Sequence, residues 1–199
     1  MKNILLTLAL LISAVSFGQT AEEYFDSGLS KYDLKDFYGA ISDYTKAIEL
    51  TPTSNAYFNR GLAKKKLEDY YGAISDYNKS IELKPNDAVA YNNRGVSKND
   101  LKDFNGAISD YNKAIKLDLN YTKAFLNRGV SKHNLKDYYG AISDFNKAIE
   151  LDANFFLAYN NRSISKELLG DLTGACADAK KAINLGSNSS VKWEASNCN

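Results

Sequence analysis

Tyr91-Asn92-Asn93-Arg94-Gly95 is followed 34 residues later by Phe125-Leu126-Asn127-Arg128-Gly129, and the glycine closing each stretch belongs to a series. Gly28, Gly61, Gly95 and Gly129 are spaced by 33, 34 and 34 residues, and Ser163 stands 34 further on. Self-similarity at this fixed period marks a stacked array in which each unit hides its apolar face only against its neighbours. The units run 21–53, 54–87, 88–121, 122–155 and 156–188, and positions within each are numbered here as slots 1 to 34.

Slot 4 is aromatic in every unit (Tyr24, Tyr57, Tyr91, Phe125, Tyr159), and slot 20 is always alanine (Ala40, Ala73, Ala107, Ala141, Ala175). Slot 24 reads Tyr44, Tyr77, Tyr111, Phe145 and then Ala179, while slot 27 reads Ala47, Ser80, Ala114, Ala148 and Ala182. Large residues facing small ones at these offsets allow two helices to approach closely. Between the halves lies Leu-x-Asp followed in the first four units by an aromatic, as in Leu67-Glu68-Asp69-Tyr70. Asp36, Asp69, Asp103, Asp137 and Asp171 sit where a second helix begins, and an aspartate there accepts from the first free backbone N–H groups. Each second helix carries the apolar run that ends in Ile-x-Leu or its equivalent, and Pro52 and Pro85 follow the first two ends. Each unit therefore reads as helix, tight turn, helix. Asn120, Asn154 and Gly186 are the expected stops in the later units, which lack the proline.

This pattern resembles the tetratricopeptide repeat family, whose helical hairpin carries an aromatic at slot 4, Gly at 8, Ala at 20, an aromatic at 24, Ala at 27 and Pro at 32. The resemblance covers about residues 21–187, with five units in register. It implies an all-α, right-handed α-solenoid of five helix-turn-helix hairpins, followed by a short capping helix and tail at 189–199. Ser163 and Ala179 depart from the pattern, and the final unit is expected to be looser for it.

Ahead of the repeats, Met1-Lys2-Asn3 precedes an apolar run from Ile4 to Val15 and then Ser16-Phe17-Gly18. One positive charge, about a dozen apolar residues and small residues at the end describe a secretory signal over residues 1–18, cleaved after Gly18. The run is shorter than the ~20 residues a spanning helix needs, so no membrane insertion is expected after cleavage. The expected compartment is the periplasm or beyond, in a Gram-negative envelope. Loss of Lys2 takes the formal charge from +1 to 0. A neutral chain with interspersed signs has no electrostatic reason to bind nucleic acid.

Both cysteines lie late. Cys176 fills a slot held elsewhere by Ile41, Ile74, Ile108 and Ile142, and the period places Trp193 at slot 4 of a truncated sixth unit. A tail folded back as a cap would bring Cys198 near Cys176, and export permits a disulfide between them. The single histidine, His133, shares a variable slot with Tyr32, Lys65, Asn99 and Glu167, which marks it as an exposed groove residue. Clustered metal ligands, a Gly-rich phosphate loop and a nucleophile elbow are all missing. The expectation is a protein with no catalytic residues, no metal and no cofactor.

Two polar series remain. Slot 7 is Arg60, Arg94, Arg128 and Arg162, with Ser27 in the one unit that has no predecessor, and slot 23 is Asp43, Asp76, Asp110, Asp144 and Asp178. The missing first arginine implies pairing between units: Asp43 with Arg60, Asp76 with Arg94, Asp110 with Arg128, Asp144 with Arg162, and Asp178 left over. Slot 6 is Asn59, Asn93, Asn127 and Asn161, with Asp26 in the first unit.

In the resembled family the first helices line a concave groove into which slots 2, 5, 6, 9, 12 and 13 point. The slot 6 asparagines then form a ladder, similar to that of protein O-GlcNAc transferase, where such residues hold peptide backbone. An amide offers donor and acceptor together, which suits a peptide bond whatever its side chain. Phe58 at slot 5 and the apolar slot 9 series, including Leu62, Val96 and Val130, would take hydrophobic side chains beside it. The function implied is a protein–protein scaffold or adaptor holding a peptide segment of another protein. The alternatives are a structural subunit of an envelope complex packing by its convex face, an exported small-ligand or glycan binder, and an accessory to an enzyme.

Overall fold

The computed structural model describes residues 19–188, 194 and 196–198; the expected signal segment 1–18 and Trp193 lie outside them. Among the described residues the chain is helical throughout: α1 (Ala21–Asp33), α2 (Phe37–Leu50), α3 (Ser54–Lys66), α4 (Tyr70–Leu83), α5 (Ala88–Asp100), α6 (Phe104–Leu117), α7 (Thr122–Asn134), α8 (Tyr138–Leu151), α9 (Phe156–Leu168) and α10 (Leu172–Asn184). Odd and even helices pair as hairpins, and each even helix packs on the next odd one, which gives an α-solenoid of five helix-turn-helix units. No helix among the described residues is long and apolar enough to cross a membrane.

Local chemistry sets these boundaries. Asp36, Asp69, Asp103, Asp137 and Asp171 cap the even helices, each accepting at 2.9 Å from the N–H of the glycine three residues on. The preceding turn passes through the left-handed region at slot 15, where Lys35, Glu68, Lys102 and Lys136 have φ between 62 and 65° and Gly170 has φ 83°. The N–H after that residue returns to a carbonyl five positions back, as from Asp36 to Lys31, and closes the end of the odd helix. Downstream of α6 and α8, where proline is absent, Asp118 and Asp152 each accept the N–H of the asparagine two residues on, Asn120 and Asn154, at 2.9 Å.

Slots 20, 24 and 27 form the buried layer between the helices of a hairpin and the next unit. Gly28, Gly61, Gly95 and Gly129 make room for the ring at slot 24: a Cβ on Gly95 would stand 2.7 Å from Tyr111 Cε1, and on Gly129 2.5 Å from Phe145 Cε1. In the last unit both members change. Ala179 leaves the space a ring would fill, Ser163 occupies part of it, and the Ser163 hydroxyl donates to the Ala175 carbonyl at 2.8 Å. Both residues are buried, so the two departures share the volume that glycine and a ring share in the other units.

The tail folds back on α10. Cys176 and Cys198 are joined by a disulfide, with Cα atoms 5.5 Å apart. Glu194, Ser196 and Asn197 are helical, and Glu194 lies 3.7 Å from Lys180.

Candidate functional site

The most regular polar feature of the solenoid is a clamp built once per unit. Asp76 receives Arg60 through both carboxylate oxygens, Nε to Oδ2 at 3.0 Å and Nη2 to Oδ1 at 2.7 Å, and also Lys64 at 2.8 Å. Arg94 and Lys98 hold Asp110, Arg128 and Lys132 hold Asp144, and Arg162 and Lys166 hold Asp178 in the same way. The pairing inferred from sequence, Asp43 with Arg60 and onward between units, is therefore corrected. Every arginine takes the aspartate of its own unit, 16 residues ahead, and Asp178 is paired. The reason is the hairpin itself. Slots 7 and 23 are equidistant from the turn at slot 15, so they stand level on facing helices.

The arginine still joins units, through its third nitrogen. Nη1 of Arg94 donates to Asn78 Oδ1 at 2.7 Å, Arg128 to Asn112 and Arg162 to Asn146 at 2.6 Å, and Arg60 to Thr45 at 3.1 Å. All four acceptors occupy slot 25 of the preceding unit. Each guanidinium also lies over the slot 4 ring of its own helix, 5.3–5.5 Å from the centroid. Among the described residues nothing ahead of the first unit offers a slot 25, and Ser27 and Lys31 hold Asp43 at 2.6 Å instead. Burial pushes the Asp43 carboxyl up, but the hydrogen bonds from Lys31 and Ser27 outweigh it and leave the pKa below the usual carboxylate range. The lysine at slot 11 was missed in the sequence reading, although Lys31, Lys64, Lys98, Lys132 and Lys166 recur in all five units.

Beside the clamp lies the amide series. Asn59, Asn93 and Asn161 each turn the side-chain nitrogen back to the carbonyl four residues earlier, those of Asn55, Val89 and Leu157, at 2.8–2.9 Å. Such a back-bond spends one of two N–H donors and fixes the plane of the amide, leaving a donor and the oxygen for other partners. Asn127 differs and donates to the buried Asn92 Oδ1 of the preceding unit at 3.0 Å. The Asn93 oxygen meets Lys65 Nζ at 3.4 Å, and burial lowers the Lys65 ammonium pKa. Leu62, Val96 and Val130 are half-buried beside this series, and Leu29 and Ile164 at its two ends are more open. Phe58, expected in the groove, is half-buried with its ring 5.7 Å from Tyr77.

His133 is not the open side chain expected. It is half-buried, its Nδ1 lies 2.8 Å from Ser165 Oγ in the next unit, and desolvation lowers its pKa. Ser131 and Asn99 make the corresponding link one unit earlier, at 2.8 Å. Slot 12 thus serves contacts between successive odd helices. Among the described residues no group of His, Cys, Asp and Glu side chains is arranged to hold a metal.

Profiles of the tetratricopeptide repeat match residues 21–54, 54–87, 88–121 and 122–155, an unbroken stretch over the first four units. No curated protein sequence is similar enough to count as a relative. Among solved structures, MamA superposes with a TM-score of 0.76 at 25% identity, over 83% of this chain and 91% of that one. YrrB, described as a TPR protein with an unusual peptide-binding site, has a TM-score of 0.70 at 21% identity, over 84% and 87%. The first TPR domain of Spaghetti (RPAP3), solved with the HSP90 peptide SRMEEVD, has a TM-score of 0.58 at 30% identity, over 59% of this chain and 94% of that domain. The repeat, the fold and these profiles agree, and the chain belongs to the tetratricopeptide repeat family.

Proposed function

We propose that this protein is a non-catalytic adaptor that holds an extended segment of another protein along the face formed by its odd helices. The observation that carries the reading is the amide series. Asn59, Asn93 and Asn161 stand at the same slot of different units, each oriented by a bond to its own helix and each keeping polar atoms for a partner. The clamps behind them fix the spacing of the helices, so the amides are presented on a rigid scaffold and little ordering is needed on binding. The RPAP3 domain, solved with a peptide, offers a precedent within the family. The leader-like residues 1–18 support export, so the partner belongs to the envelope or the outside of the cell.

The test is selection of peptides from a random display library on the purified protein, followed by titration against Asn93→Ala/Asn127→Ala/Asn161→Ala. The reading expects at least a tenfold loss of affinity, with thermal stability lowered only by the loss of the bond from Asn127 to the buried Asn92. Equal binding by both proteins would sink it. A second reading has its own support: Tyr38, Tyr71 and Tyr139, all at slot 18 of even helices, are 76–77% exposed. Packing of that outer face in a complex would tolerate the asparagine changes and fail on Tyr71→Ser.

A further inference from the structure

The residue that precedes each odd helix does one of two jobs. Before α3 and α5 it is Thr53 or Asp87, whose side chain accepts backbone N–H groups of the helix it starts. Before α7 and α9 it is Tyr121 or Phe155, which makes no capping bond. These two rings instead pack against the apolar cluster that contains Ala114 and Ala124 at one junction and Ala148 and Ala158 at the next. The alanines hold slots 27 and 3, and the first junction has the same pair in Ala47 and Ala56. There Thr53 brings no ring, and a cleft of about 360 Å³ opens against both alanines, with Ala21 and Phe25 completing its apolar wall. A dry cavity of about 150 Å³ already accepts benzene, so this one has room for an aromatic side chain.

The rim has a sign. Glu22 and Asn55 line the opening, Asp26 lies exposed one turn along α1, and no lysine or arginine is among the lining residues. Glu23 is occupied by the Thr20 N–H at 2.8 Å, which leaves Glu22 and Asp26 to face an incoming charge. We propose that this cleft anchors an aromatic side chain of the bound segment, with a lysine or arginine next to it reaching the Glu22 carboxylate. The segment supplies at the first junction what Tyr121 and Phe155 supply from within the chain at the third and fourth. The proposal rests on the groove reading, because Glu22, Phe25 and Asn55 occupy slots 2 and 5, and it names the residue type at one end of the segment.

The probe is acetyl-Trp-Arg-amide, titrated into isotopically labelled protein, with acetyl-Ala-Arg-amide and acetyl-Trp-Glu-amide as controls. Saturable amide shifts at Ala21, Glu22, Ala47 and Ala56 are expected for Trp-Arg, at least tenfold weaker for Ala-Arg and several-fold weaker for Trp-Glu. Thr53→Phe, which puts a ring where Tyr121 and Phe155 stand and gives up the α3 cap, should abolish these shifts while the amide spectrum of the other four units stays that of the folded protein. Glu22→Lys, at an exposed position, should remove the preference for Trp-Arg over Trp-Glu. Absence of shifts at these residues, or equal shifts with Ala-Arg, would overturn the assignment, whether the cleft is closed or filled by another part of the protein. The triple asparagine variant separates the two readings. Dipeptide binding that survives in it supports the cleft, even if longer peptides prove indifferent to those asparagines and the amide ladder fails.

Discussion

The fourth and fifth units solve one packing problem with opposite residues. In the fourth, Gly129 has no side chain and Phe145 fills the space over it, so a Cβ at Gly129 would meet the ring at 2.5 Å. In the fifth, Ala179 has no ring and Ser163 supplies the side chain, anchored to the Ala175 carbonyl. Slots 8 and 24 therefore behave as a single volume shared between two helices, and neither residue can be judged alone.

The largest expected effect breaks that sharing from the ring side. Phe145→Ala should cost about 3–5 kcal/mol in chemical denaturation, the usual range for deleting a buried ring. Gly129→Ser added to it should recover part of the loss, by recreating the pair found at Ser163 and Ala179. A double variant no more stable than the single one would show that the fifth unit has other supports. One such support is visible: removing the disulfide with Cys176→Ala/Cys198→Ala should cost about 3 kcal/mol for a loop of this length. The loss should be confined to the last unit, read by hydrogen exchange of α9 and α10 against α3 to α6.

Breaking the pair from the other side is milder. Gly95→Ala places a Cβ 2.7 Å from Tyr111 Cε1, and overpacking of this kind costs about 1–3 kcal/mol. The opposite change in the last unit, Ser163→Gly, should cost less than Gly95→Ala, since it creates a small gap and removes one hydrogen bond. Thermal melts of the two variants decide the order.

The hairpin, its caps and its buried layer were legible because one residue type recurs at one slot: the turn aspartates, slot 20 alanines and slot 8 glycines each announce their job. The clamp was only half legible. Arg60 to Arg162 and their aspartates were visible, but the absence of arginine at Ser27 was assigned to the wrong atom. The link to the preceding unit runs through Nη1 to slot 25, while Nε and Nη2 stay within the hairpin. A count from the turn would have given the pairing, since slots 7 and 23 are equally far from slot 15. Other features depend on which residues are left without a neighbour. The cleft beside Ala47 and Ala56 lies where Thr53 stands in place of the rings of Tyr121 and Phe155, with slot 27 and slot 3 alanines on either side, and that is a comparison between junctions that no one unit displays. The left-handed backbone at Lys35, Glu68, Lys102 and Lys136 has no residue signature, because none of these four positions uses the glycine that such a conformation favours.

The first unit extends the comparison to charge. Its Asp43 is held by Ser27 and Lys31, where later units use arginine and lysine. The folded-state pKa of Asp43 is lowered, so its contribution to stability is present above the ordinary value of about 3.8 and is lost as pH falls through the lowered one. Lys31→Ala should therefore destabilise the protein at pH 6, and the difference from wild type should shrink as the solution is acidified from pH 4 to pH 2. A difference independent of pH would assign the role of Lys31 to its aliphatic stem.

The smallest effect has the opposite sign. Tyr44 and Tyr77 are fully buried at slot 24, and neither hydroxyl has a hydrogen-bond partner among the described residues. Burial raises both pKa values, so the hydroxyls stay neutral and donor-capable with nothing to donate to. The residue that follows in the next unit explains part of the pattern. At slot 10, Ala63 offers no acceptor to Tyr44, and Ser97 spends its hydroxyl on the Asn93 carbonyl at 3.3 Å. The fourth unit dispenses with the hydroxyl altogether in Phe145. Tyr77→Phe should thus be neutral or stabilising by up to ~1 kcal/mol, because it removes a buried unsatisfied group. A melting temperature that holds or rises in Tyr77→Phe would show that the repeat fixes the ring at slot 24 and leaves the hydroxyl to its neighbour, and a fall of several degrees would show that the hydroxyl has a partner.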